Sequence, residues 1–125
     1  MYKTGLGVVA LVLLISSCKK EVKEYTVSLE ARCYDCIVTY AAGPARGRTD
    51  TILGVVEGTD TFLVTGQYQV IAKADDNLFF RACRIYPDTS FGAIELRANG
   101  EVQELSTSVQ LDQACATINQ VVQIK

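Results

Sequence analysis

Tyr25-Thr26-Val27-Ser28-Leu29-Glu30-Ala31-Arg32 alternates strictly between two kinds of side chain. Successive side chains of a strand point to opposite faces, so Tyr25, Val27, Leu29 and Ala31 share one face. Thr26, Ser28, Glu30 and Arg32 take the other, which is the pattern of a half-buried strand. An amphipathic helix would repeat its apolar residues every three or four positions instead.

The same period governs the downstream segments. Cys36 to Ala41 is rich in β-branched and aromatic residues, and Gly43-Pro44-Ala45-Arg46-Gly47-Arg48 interrupts it with turn formers. Thr51–Val56 and Thr61–Thr65 read as short strands split by Glu57-Gly58-Thr59-Asp60. Gln67 to Ala74 alternates with Tyr68, Val70, Ala72 and Ala74 on one side. After the turn Asp75-Asp76-Asn77, Leu78 to Tyr86 forms the most apolar strand, ended by Pro87–Ser90. Ala93–Ala98 and Glu101–Thr107 flank Asn99-Gly100, the pair favoured in two-residue hairpin turns with positive φ, so a tight hairpin is expected here. In the C-terminal segment, Leu111, Cys115, Ile118 and Val122 fall at helical spacing, whereas Thr117, Ile118, Val121 and Val122 favour a strand. The β-branched residues tip the expectation towards a strand. About seven to nine short strands with turns roughly every eight to twelve residues predict an all-β fold, an antiparallel immunoglobulin-like sandwich over residues 25–125.

The chain has five cysteines and no histidine. Cys18 stands apart near the N-terminus, which leaves Cys33, Cys36, Cys83 and Cys115 and three possible pairings. Cys33 and Cys36 bracket the corner after the first strand, while Cys83 and Cys115 lie in later strand-like segments. The expected bridges are therefore Cys33–Cys36 and Cys83–Cys115. A redox dithiol at Cys33/Cys36 would need a helix N-terminus to lower a thiol pKa, and Ile37-Val38-Thr39-Tyr40 comes next with a strand pattern. A zinc ribbon would need two close cysteine pairs, which Cys83 and Cys115 do not supply.

Lys3, the apolar run Leu6–Ile15 and the small residues Ser16-Ser17 before Cys18 have the order of a secretory signal. The run is too short for a membrane-spanning helix, which needs about 20 residues. Placed directly after the small pair, Cys18 resembles the cysteine of a bacterial lipobox, which is lipidated and becomes the mature N-terminus. Residues 1–17 then read as signal peptide, and residues 18–24, charged at Lys19, Lys20, Glu21, Lys23 and Glu24, as a solvated tether. This address implies a membrane partner through the lipid, and an exported compartment in which disulfides are expected. Lys19, where an aspartate would resemble an inner-membrane retention signal, favours the outer membrane.

Little in the chain carries chemistry. Without histidine the commonest general base is missing, and there is no Gly-x-Ser-x-Gly elbow or glycine-rich phosphate loop. The net charge of −2 gives no footprint for nucleic acid. Asp75-Asp76-Asn77 lacks the spaced ligands of a calcium loop, so it reads as a turn and no metal is expected. Glu95, Glu101 and Glu104 read as the solvent face of a hairpin rather than a glycosidase pair. No cofactor is expected. Binding has more support: Arg46 and Arg48 occupy a glycine-containing loop, and Tyr34 would be held between bonded cysteines. These three are the candidate ligand-binding residues, with Tyr68, Tyr86 and Phe91 as a further aromatic surface.

As a whole the chain resembles small Bacteroidota-type lipoproteins, a resemblance that implies an envelope location and envelope proteins or glycans as partners. Its strand Ile37-Val38-Thr39-Tyr40, the Asn-Gly segment from Ile94 to Leu105 and Cys115 are also similar to the mycobacterial membrane protein small family. That similarity implies an immunoglobulin-like sandwich assisting a lipid-exporting transporter. The chain departs from that family in its lipobox and in Cys33, Cys36 and Cys83. The function expected is a non-catalytic binding or accessory module of the envelope, with an export or assembly subunit as the alternative and a redox protein or other enzyme third.

Overall fold

The structure, a computed structural model, describes residues 22–125. Cys18, the signal segment 1–17 and most of the 18–24 tether lie outside the described residues.

The opening alternation becomes β1 (Glu24–Cys33), whose inward residues Val27, Leu29, Ala31 and Cys33 are buried. A corner leads to β2 (Cys36–Ala42) and then β3 (Arg48–Ile52). β4 (Val55–Glu57) and β5 (Asp60–Phe62) form a small separate ribbon. β6 (Val64–Lys73), β7 (Asn77–Arg84), β8 (Ile94–Gly100), β9 (Leu105–Val109) and β10 (Cys115–Val121) complete the chain. One sheet has the order β6-β1-β8-β9 and the other β10-β7-β2-β3, with every pairing antiparallel. The molecule is an all-β sandwich. Among the described residues, eight strands make its two sheets, and the ribbon adds two.

The two inner faces meet over Leu29, Val38, Leu78, Phe80, Ile94 and Leu96, each at most 2% exposed. Burying a side chain of this kind contributes about 1.5–3 kcal/mol, so the sheets are held mainly by this layer. The C-terminal segment is a strand: Ala116 and Ile118 turn inward while Thr117 and Asn119 face solvent. Its helical spacing is an accident of composition that pairing with β7 overrides.

The hairpin expected at Asn99-Gly100 is corrected by the structure. β8 and β9 do pair, from Ile94 with Val109 to Ala98 with Leu105, but the connection between the strands is residues 101–104. Asn99 and Gly100 stay in β8 and pair with Ser28 and Val27 of β1. Two gains favour this longer path. The ladder with β1 is extended, and Val102 becomes fully buried beneath a bridge to Ile124. Gly100 does adopt a positive φ of 98°, but for the exit from β8 rather than for a two-residue turn. A Cβ there would lie 2.7 Å from the Thr26 carbonyl oxygen. The strand expected over Thr51–Val56 is also redistributed, broken at Leu53-Gly54 with β3 reaching back to Arg48.

Candidate functional site

β1 enters the sandwich at Glu24 and leaves it at Cys33, which defines two ends. The 33–36 corner, the ribbon and the connections 85–93 and 110–114 gather at the far end, away from the N-terminal entry. The 43–47 loop, the 74–76 turn and the 101–104 connection lie at the near end. β2 runs seven residues between the two ends, about 20 Å at strand rise. Arg46 and Arg48 are therefore brought together, and Tyr34 is not among them.

At the near end the chain leaves β2, loops through residues 43–47 and returns as β3 beside the edge of the other sheet, β6. This leaves a cleft of about 600 Å³ lined by Tyr40, Ala42, Arg46, Arg48, Val70 and Ile71, among others. Tyr40, Ala42 and Val70 occupy inward positions of their strands and give it an apolar floor. Arg46 comes from the loop. Arg48, expected in the loop too, is the first residue of β3, paired with Tyr40. Both arginines are exposed, and among the described residues neither has a carboxylate within ion-pair distance.

Further along the same gap, Tyr68 donates a hydrogen bond to the Asp50 carboxylate at 2.8 Å, linking β6 to β3. The Tyr68 ring also lies 4.8 Å from that of Tyr40. Burial raises the Tyr68 pKa well above its ordinary value, and the hydrogen bond to Asp50 with its negative charge adds to the shift. Tyr68 thus stays a neutral donor that links the two edge strands beside Tyr40 of the cleft.

Tyr34 has a different setting. Cys33 and Cys36 are wholly buried and stand at bonding distance, joining the end of β1 to the start of β2 across the two sheets. Between them Asp35 takes a φ of 51°; its side chain accepts from the Gly54 amide at 3.0 Å and its carbonyl from the Ile85 amide at 2.9 Å. The Tyr34 ring occupies the space a Cβ on Gly54 would need, with Phe91 edge-on at 6.1 Å. These contacts pack Tyr34 into the corner. Cys83 and Cys115 face each other directly in β7 and β10, Cα atoms 4.1 Å apart, and form the second bridge.

Arg84 carries no functional mark in the sequence beyond lying on the face of its strand opposite Arg81. That face is the core side: Arg84 is 5% exposed. Nε donates to the Gln113 carbonyl, Nη1 to Ser90 Oγ and the Gly92 carbonyl, and Nη2 to the Gln110 carbonyl, at 2.9–3.0 Å. One guanidinium therefore ties together two far-end connections. Burial lowers its pKa, and the charge of Asp112 opposes that shift. The signal was available in the parity of Leu78, Phe80, Ala82 and Arg84.

Three of the remaining polar candidates are committed elsewhere. Glu95 pairs with Arg32 at 3.4 Å and Glu104 with Arg97 at 3.1 Å, both on the surface. Asp76 accepts the Lys73 amide at 2.8 Å within its turn. No known protein-family model matches the chain, and no curated protein and no solved structure is significantly similar to it.

Proposed function

We propose that this chain is a lipid-anchored, non-catalytic binding module of a bacterial outer membrane, of the small Bacteroidota lipoprotein kind. The observation that carries the binding role is the near-end cleft, where two arginines with no ion-pair partner among the described residues stand over an apolar floor. The anchor rests on the signal-like segment ending at Cys18. Two disulfides suit an oxidising, exported compartment. The neighbouring of β1 with β6 in one sheet and of β2 with β7 in the other supports naming the sandwich immunoglobulin-like.

Growth of a lipoprotein-processing bacterium expressing the chain with an alkyne-tagged palmitate tests the anchor. Label on the wild-type protein and none on Cys18→Ser is the expected result. Equal label on both, or none on either, overturns it.

An accessory role in an envelope machine is favoured by a different observation. The far end exposes Leu53 (64%), Tyr86, Phe91 and Phe62 together with the ribbon valines Val55 and Val56. Under this second reading the protein co-purifies with a larger envelope assembly in mild detergent, and Leu53→Ser with Phe91→Ser releases it. Unchanged co-purification of the double variant counts against this reading.

A further inference from the structure

We infer that the near-end cleft binds a single-chain amphiphile with an anionic head, a carboxylate or phosphate carried on an acyl chain. The inference rests on the binding role proposed above and names its ligand class.

The floor and the rim of the cleft ask for different chemistry. Tyr40, Ala42 and Val70 offer an apolar surface that continues outward to Ile71, 51% exposed on the edge strand. A purely polar ligand such as a free phosphate or a short glycan would leave that surface wet. At the mouth stand Arg46 and Arg48, whose guanidinium forks match the paired oxygens of a carboxylate or phosphate. Asp50 lies two residues on along the same face of β3, yet its carboxylate accepts the Tyr68 hydroxyl and is not within ion-pair distance of either arginine. A neutral hydrocarbon would leave the two cations without a counter-ion. An acyl anion satisfies both surfaces at once.

Size and position agree with this occupant. About 600 Å³ lies within the roughly 300–1,000 Å³ range of small-ligand sites. The cleft also opens at the end where residue 22 enters the sandwich. The few residues between Cys18 and Val22 extend at most about 14 Å, so an anchored chain would hold this mouth close to the bilayer from which such amphiphiles come.

The test uses the full chain reconstituted in phosphatidylcholine vesicles, with a dansyl-labelled undecanoate as probe and protein-free vesicles as background. Saturable fluorescence enhancement is expected, weakened at least about tenfold in Arg46→Gln/Arg48→Gln, which loses the charge-assisted bonds. Ala45→Trp, a substitution at an exposed loop position that fills the cleft, is expected to weaken it comparably. Both variants should keep the wild-type urea midpoint, since neither site is in the core. Enhancement equal to background, or loss in one variant without the other, overturns the inference. So does displacement of the probe by inorganic phosphate as effectively as by unlabelled undecanoate. Displacement by phosphatidylglycerol in the vesicles but not by undecanoate would assign the cleft to a two-chain lipid and overturn it as well. Palmitate labelling at Cys18 is read separately, so failure of the ligand and failure of the anchor are distinguishable.

Discussion

Arg84 carries a full positive charge to a position where its strand neighbours of the same parity are Leu78, Phe80 and Ala82. It is tolerated because carbonyl dipoles and one hydroxyl surround the guanidinium, with no carboxylate among its hydrogen-bond partners. Arg84→Met removes the donors and leaves three carbonyls facing an apolar chain. We expect it to cost about 3 kcal/mol in urea unfolding, with Arg84→Lys recovering part of that because a single ammonium cannot serve both connections. Tyr68 sets a pH dependence. Its folded pKa lies above its unfolded one, so its contribution is complete below the ordinary tyrosine pKa of about 10 and is lost as pH rises above it. The stability gap between wild type and Tyr68→Phe should therefore narrow between about pH 8 and about pH 11. A gap that is constant across that range would contradict the raised Tyr68 pKa that burial and the Asp50 bond together produce.

Among the elements, the strands were legible wherever one face is buried, because the period-two signal is written in side-chain polarity. β1, β6 and β7 emerge from it directly, and β10 from its β-branched residues. What polarity does not encode is which hydrogen-bond ladder wins where two compete. Asn99-Gly100 has the local preference for a tight turn, and the ladder with β1 together with burial of Val102 outweighs it. The cleft was half legible for the same reason. Arg46 and Arg48 could be picked out from their turn, but Tyr40, Val70 and Ile71 are brought to them by sheet stacking, a long-range outcome. Gly100→Ala tests the exit from β8. Its positive φ and the close Thr26 carbonyl predict a loss of about 2 kcal/mol or more in thermal or urea unfolding. The two bridges should differ as well. Loop-closure entropy assigns about 4 kcal/mol to Cys83–Cys115 and about 2 kcal/mol to Cys33–Cys36. Paired alanine substitutions, which leave no buried hydroxyl at the corner, should keep that order when compared by urea unfolding.

For the whole molecule, stability is expected to be graded from the middle of each sheet outwards. β1 and β7 are paired on both sides, whereas the β4–β5 ribbon pairs only with itself and leaves Val55, Val56 and Phe62 exposed. Native-state hydrogen exchange should find the slowest amides in β1 and β7 and the fastest strand amides in the ribbon. Slow exchange in the ribbon would mean that it is covered in solution. The central place of β1 has a mechanical consequence too. A pull on the N-terminal segment enters the fold along β1, nearly parallel to its length. It therefore loads the ladders with β6 and β8 in shear, and many hydrogen bonds must yield together rather than unzip one by one. At the far end of that strand, the bond between Cys33 and Cys36 passes the load directly into β2 and so into the opposite sheet.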